Sequence, residues 1–116
     1  MTIGQRIVSC LGGFGDPVAM NQYTGTSDRY YVYMFGSRGD NHADDAPNNE
    51  RYYVTIHFYA PMSWTGLTER RKQTKKALYD AGFDYPDVHS DIDDNMNWLI
   101  FSCEYVGEME VELDGV

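Results

Sequence analysis

The segment spanning residues 51–106 constrains the fold most, because a strand pattern, a helix pattern and a second strand pattern follow one another in it with little between them. Residues 52–59 alternate with period two, which is typical of a strand with both faces partly covered, and Pro61 ends this strand. The same alternation returns over residues 98–106. This order predicts a small α+β domain.

The helix between these strands has a narrow inward stripe on an otherwise basic surface. Ser63 or Thr65 can cap its start, Glu69 suits its first turn, and Gly82 is placed to end it in the left-handed conformation. The stripe consists of Leu67, Thr74, Ala77, Leu78 and Ala81, and the remaining surface carries Arg70, Arg71, Lys72, Lys75 and Lys76. The pattern therefore predicts that these five cations face solvent.

The remaining elements complete one domain over residues 1–116. Residues 3–11 predict a first helix and residues 29–35 a strand; residues 83–89 predict a short or edge strand, because Pro86 cannot donate to a central ladder. Residues 91–97 predict a turn, and the tail from residue 107 fits either a solvated strand or a frayed end. The order α-β-β-α-β-β predicts an antiparallel sheet of about four strands with both helices packed on one face.

A polar, acidic segment separates the first two predicted strands. Residues 37–50 contain glycine, proline, asparagine and the acids Asp40, Asp44, Asp45 and Glu50, with almost nothing that could enter a core. This length exceeds that of an ordinary hairpin connection, and loops of this kind are often functional. The segment is therefore predicted to be a long loop.

The charge balance argues against a protein that grips nucleic acid. The chain has 18 acidic and 9 basic residues, a formal net charge of −9, whereas phosphate contacts need a positive surface. The basic helix is typical of a solvated face, or it could meet an acidic protein surface. Charge complementarity suggests a subunit interface in which Arg70, Arg71 and Lys75 approach Asp40, Asp44 and Asp45 of a neighbouring copy.

The residues that could catalyse a reaction or bind a metal form no recognisable catalytic or metal motif. Asp91, Asp93, Asn95 and Asn97 match the start of a calcium loop, but Met96 stands where that loop needs glycine, and Ser102 stands where it needs glutamate. His42, His57 and His89 have no ligand spacing, and Cys10 and Cys103 are expected to be reduced core residues. We expect no metal, no cofactor and no enzymatic activity.

The chain is also expected to be cytoplasmic and free of the membrane. Its first residues lack the pattern of a secretion signal, and no segment approaches the roughly 20 apolar residues that span a bilayer.

Three stretches taken together resemble the small tail-terminator or tail-completion proteins of tailed bacteriophages. These stretches are RYYVTIHFYAP at residues 51–61, KKALYDAGFDYPD at residues 75–87 and DIDDNMNWLIFSCEY at residues 91–105. Members of that family show an aromatic-rich strand, a helix ending in glycine-phenylalanine, an acidic turn and a last strand of alternating apolar residues. The likeness covers roughly residues 30–106; the first helix is shorter than is usual in the family, and the acidic loop is longer.

The resemblance implies a structural protein that performs no chemistry. It implies a ring, six-fold in the tail-terminator branch, that ends tail-tube polymerisation and joins tail to head in the neck or tail of the virion, after assembly in the host bacterial cytoplasm. The implied partners are further copies of the chain, the tail tube protein and the head connector protein, while genome DNA passes without specific binding. In such a ring Asp40, Asp44, Asp45 and Glu50 would face the lumen and repel DNA phosphates.

Two other classes of function stay open at this point. A small α+β module could use its aromatic strands to bind a protein or a small ligand without any role in a virion. An enzyme would have to draw on the three histidines and residues 91–94.

Overall fold

The computed structural model describes residues 2–40 and 49–108 and places two helices on one side of a five-stranded sheet. The helices are α1 (Ile3–Leu11), which continues into a short 3-10 turn (Gly12–Phe14), and α2 (Leu67–Asp80). The strands are β1 (Val18–Met20), β2 (Tyr30–Asp40), β3 (Asn49–Pro61), β4 (Asp87–Asp93) and β5 (Met96–Glu108).

The sheet confirms the α+β class and corrects the predicted strand arrangement. Its order is β1-β2-β3-β5-β4, with β1 parallel to β2 and every other pair antiparallel. The prediction of about four antiparallel strands in the order α-β-β-α-β-β missed β1. A strand of three residues is too short to produce a visible alternation, and it lies between Asp16-Pro17 and a polar run, where the sequence indicates turns.

The predicted turn over residues 91–97 is much shorter in the structure. Only Asp94 and Asn95 separate β4 from β5, with φ angles of 49° and 64°. Positive φ at both central residues is typical of a two-residue type I′ hairpin, which Asp and Asn tolerate well. The predicted strand over residues 83–89 is correspondingly displaced to Asp87–Asp93, and Pro86 precedes it.

The predicted loop over residues 37–50 is shortened from both ends. β2 continues to Asp40 and β3 begins at Asn49, and these two residues are partners in the register. Residues 41–48 of that loop lie outside the described part of the chain. At the other end, β5 runs through Gly107 to Glu108, and residues 109–116 also lie outside the described residues.

The core lies between the helices and the sheet face that they cover. Thr2 and Gln5 form a reciprocal capping box at the start of α1. Residues of β2, β3 and β5 that face the helices alternate with residues of the opposite face, as the period of two requires. The buried cluster includes Ile3, Ile7, Leu11, Tyr31, Ile56, Phe58, Leu78, Phe83, Leu99 and Phe101.

Gly82, after α2, gives a first prediction. Its φ is +103°, and an added Cβ would lie 3.3 Å from the Tyr105 ring. We expect Gly82→Ala to lower the free energy of unfolding by about 1–2 kcal/mol, measured by urea denaturation. Gly36→Ala is the matched control, because a Cβ there meets nothing within 4 Å. Equal losses in both variants would contradict the prediction.

Candidate functional site

The sheet face opposite the helices carries a large aromatic surface. No helix among residues 2–40 and 49–108 packs on it, since α1 and α2 both bury their apolar residues in the cluster on the other face. We call this surface the open face; β2, β3, β5 and β4 all contribute to it. Its residues include Tyr30, Val32, Met34, Arg38, Arg51, Tyr53, Thr55, His57, Tyr59, Trp98, Ile100, Ser102, Glu104, Asp87, His89, Asp91 and Asp93.

Four stacked rings, which we call the aromatic row, cross the open face at one end. Tyr30, Tyr59 and Trp98 are direct neighbours in the strand register, and Tyr23 adds a fourth ring from the β1–β2 connection. The ring centroids are 4.3 Å apart for Tyr23 and Tyr30, 5.1 Å for Tyr30 and Tyr59, and 5.8 Å for Tyr59 and Trp98. Stacked rings at these distances form a stiff, apolar platform.

His57 extends this platform towards the middle of the sheet. Its ring meets Trp98 edge to face at a centroid distance of 5.1 Å, and its Nδ1 lies 3.5 Å from the Tyr59 hydroxyl. Partial burial lowers the pKa of His57, so the neutral ring is favoured at pH 7. The indole Nε1 of Trp98 is buried and has no hydrogen-bond partner in the described part of the chain. The arrangement is therefore largely apolar, without a charged group at its centre.

Three aspartates line one edge of the open face. Asp87, Asp91 and Asp93 alternate along β4 and are all exposed, and Asp91 pairs with Trp98 in the register. Burial raises the pKa of Tyr30 and Tyr59, and the negative charge of Asp93 raises both further. The open face thus combines an aromatic platform with an adjoining acidic edge.

A shallow cleft lies further along the open face, where β4 begins. Asp84 replaces a strand neighbour there, since its N–H donates to the Glu104 carbonyl at 3.0 Å and its Oδ1 accepts from the Glu104 N–H at 2.7 Å. The cleft has a volume of about 210 Å³. That is below the roughly 300 Å³ at which pockets for drug-sized ligands usually begin. Its walls are Tyr53, Val54, Thr55, Asp84, Tyr85, Asp87, Ser102, Cys103 and Glu104.

Arg70 does not occupy the exposed position predicted for it. Its side chain is 10% exposed, and Nη1 lies 2.6 Å from Oδ2 of the equally buried Asp16. The guanidinium also lies over the rings of Phe14, Phe58 and Trp64, at 4.9, 5.1 and 5.2 Å from their centroids. Because Asp16 is far from α2 in the sequence, helical periodicity alone placed Arg70 on the wrong side of the helix.

Where the structure describes them, the other residues predicted at an interface lie on different elements of the fold. Arg71 is exposed on α2, and Lys75 is half-buried with Nζ 4.6 Å from the centroid of Tyr85. Glu50 lies within β3, paired in register with Gly39 and Gly107. Asp40 is the last residue of β2, while Asp44 and Asp45 lie outside the described residues.

The described residues bring no three His, Cys, Asp or Glu side chains together in a way that could hold a metal ion. Asp91 and Asp93 point to the open face, whereas Asn95 is in the turn and Asn97 is on the opposite face, so the calcium-like run does not converge. Both cysteines are free. Burial raises the pKa of Cys10 to about 11 and that of Cys103 to about 12, so both are protonated thiols at neutral pH.

The aromatic row was not recognised from the sequence, although a signal for it was present. The alternation within residues 52–59 and 98–106 assigns Tyr59 and Trp98 to one of two faces each, but only the strand register makes them neighbours.

Neither helix in the described ranges is long and apolar enough to cross a membrane.

Comparisons with known proteins extend the description of the fold. No protein-family model and no curated protein matches the chain. One solved structure, of a protein whose name states no function, is similar over 95% of this chain and 96% of its own length, with a TM-score of 0.61 and 12% sequence identity. Identity this low shows a shared α+β fold and carries no function from one protein to the other.

Proposed function

We propose that the protein is a structural assembly subunit of a bacteriophage or prophage. In this proposal its copies form an oligomeric ring, six-fold by analogy, at the tail end or neck of the virion. The ring ends tail-tube polymerisation and joins tail to head without catalysing a reaction.

The observation that carries the assembly part is the open face. The four stacked rings are half-buried and no helix covers them in the described part of the chain; with the exposed Tyr53 on the same face they form an apolar surface of the kind that marks protein contacts. Tyrosine and tryptophan are also the residues enriched at the centres of interfaces. Burial of the platform against another protein would remove it from water, which favours association.

The phage assignment has a different support, namely the sequence resemblance over residues 30–106. In the proposed ring, the tail tube protein and the head connector protein bind its two ends. Asp40, Asp44, Asp45 and Glu50 keep the lumen-facing role that the resemblance implies, in which their charges repel the DNA phosphates of the passing genome.

The virion role is tested by imaging particles assembled without this protein. Negative-stain electron microscopy should then show tails of irregular length and heads that are not joined to tails. Expression of the protein from a plasmid should restore normal particles. Joined tails of normal length in the absence of the protein would overturn the phage assignment.

The role of the open face in assembly is tested on the purified protein. We expect Trp98→Ala to reduce oligomer formation at least tenfold, because it removes the last ring of the row and its apolar area. Native mass spectrometry over a concentration series measures the change, and circular dichroism confirms the fold.

Val8→Ala is the control for this test, since Val8 is 41% exposed on α1 and lies away from the open face. Tyr30→Ala provides a second variant of the row should Trp98→Ala fail to fold. Oligomers that form equally well with either ring removed would show that the open face is not the contact.

A second candidate is a binding module for a small polar ligand. The observation that favours it is the cleft beside Asp84, whose walls include three hydroxyl-bearing residues, Tyr53, Thr55 and Ser102. A monomeric protein that is stabilised against heat by one compound from a metabolite panel, with that effect lost in Ser102→Tyr, would favour this reading over assembly.

A further inference from the structure

The positive charge of the protein is concentrated on one helix. Five of the nine basic residues lie on α2, and these include all three lysines of the chain. Arg70 is buried, which leaves a basic face of α2 that consists of Arg71, Lys72, Lys75 and Lys76. Arg71 and Lys72 are exposed and have no ion-pair partner in the described ranges, whereas Lys76 pairs with Asp80 at 2.6 Å.

The arginines outside α2 are already engaged within the subunit. Arg6 donates to the Ala81 carbonyl at 3.1 Å, Arg29 pairs with Asp16, and Arg51 pairs with Glu104 at 2.8 Å. Arg38 lies over the Tyr53 ring at 5.8 Å. The basic face of α2 is therefore the main cationic surface that the described residues leave for a partner.

The acidic edge of the open face has the opposite character. Asp87, Asp91 and Asp93 are exposed, and Asp91 and Asp93 lie beside the aromatic row; none of the three has an ion pair in the part of the chain that the structure describes. α2 packs on the covered side of the sheet, so the basic face of α2 and the open face point away from each other. One subunit thus presents complementary surfaces on its two opposite sides.

We infer that the open face of one copy binds the basic face of α2 of the next copy, in a head-to-tail contact. Arg71 and Lys72 then approach Asp91 and Asp93, and their aliphatic stems and charges lie over the rings of the aromatic row. Such a contact joins different surfaces of identical subunits, and it closes into a ring when the rotation between neighbours permits. The inference rests on the proposed assembly function and names the surfaces that would carry it.

A two-fold contact between two open faces fits the charges less well. The only cations on that face in the described residues are Arg38 and Arg51, and Arg51 is salt-bridged to Glu104. Burial of the β4 aspartates without new cationic partners would cost desolvation free energy, and no new ion pair would offset that cost. The basic face of α2 supplies those partners.

The experiment is a charge swap between two variants. The sheet variant carries Asp91→Lys and Asp93→Lys, and the helix variant carries Arg71→Glu and Lys72→Glu. Each variant alone sets like charges against each other at every contact, so we expect self-association to weaken about 100-fold in each. In an equimolar mixture the sheet variant meets the helix variant with opposite charges at every contact, and we expect oligomers of alternating subunits to return.

Native mass spectrometry of the full-length variants resolves the mixed species by mass, and higher salt should weaken wild-type association. Ser9→Lys and Ser9→Glu are controls that change charge on an exposed position of α1. A wild type that stays monomeric at every concentration, variants that associate like wild type, or a mixture that stays dissociated would each overturn the inference. A dimer sensitive to the sheet variant alone would overturn it in favour of two open faces in contact.

The two proposals can fail separately. Wild-type rings that ignore the charge swap would overturn this contact and leave the phage assignment untouched. Joined tails of normal length in particles without the protein would overturn the phage assignment and leave the charge-swap result standing.

Discussion

Replacement of Asp16 by alanine should lower the free energy of unfolding by about 3–5 kcal/mol, because it leaves the buried charge of Arg70 without its partner. The two side chains are 8% and 10% exposed, and their closest atoms are 2.6 Å apart. The same carboxylate lies 3.4 Å from Arg29, so its loss affects two cations. Urea denaturation followed by circular dichroism measures the change.

The exposed pair of Lys76 and Asp80 is a matched control, since its atoms are also 2.6 Å apart but the side chains are 78% and 57% exposed. Asp80→Ala should change stability by no more than about 0.5 kcal/mol. The double variant Asp16→Leu with Arg70→Met removes both buried charges and should recover most of the loss. Similar losses for Asp16→Ala and Asp80→Ala would contradict this account of the pair.

Phe101→Ala should lower the free energy of unfolding by about 3–5 kcal/mol, because it opens a cavity between the sheet and the helices. Phe101 is fully buried and is paired in register with Ile56 and Val88. Thermal and urea unfolding of the variant measure the loss. We expect the native fold to persist with a lowered midpoint.

Ile100, which directly precedes Phe101, points to the open face and is only half-buried. Ile100→Ala should therefore lower the free energy of unfolding by only about 1 kcal/mol, mainly because Ile100 loses contacts with its neighbours on the same face. The stabilities are measured in dilute protein, so that the proposed contact through the open face does not contribute to them. A loss for Ile100→Ala as large as that for Phe101→Ala would contradict the division into a covered and an uncovered face.

The parts of the fold that could be predicted are those with a long, regular pattern. α1, α2, β3 and β5 each repeat apolar residues over two or more periods, and Gly82 ends α2 at a positive φ as predicted. The predicted caps of α2, Ser63 or Thr65, were wrong, because Gly66 precedes the helix and no side chain caps it. β1 has three residues and shows no period. Residues 91–93 of β4 were predicted as part of a turn, because four of the seven β4 residues are aspartate or serine, which an edge strand exposed on both faces can accept.

The candidate site was less accessible to sequence reasoning, because it depends on contacts between distant segments. The burial of Arg70 requires Asp16, which is 54 residues away. The aromatic row requires the register of three strands and a ring from the β1–β2 connection. Local patterns could assign each residue to a helix or a strand, but they could not indicate which side chains would meet.

The division of the sheet into two faces also separates the two tryptophans of the chain. Trp64 packs against Phe58 and Arg70 on the covered side, at centroid distances of 5.7 and 5.2 Å, whereas Trp98 stacks on the open face. Their fluorescence therefore reports on different events, since Trp64 senses unfolding and Trp98 also senses anything that covers the open face. A Trp64→Phe variant would leave Trp98 as the only tryptophan of the chain, so that its fluorescence, excited selectively over that of the ten tyrosines, reports on the proposed subunit association without an attached dye.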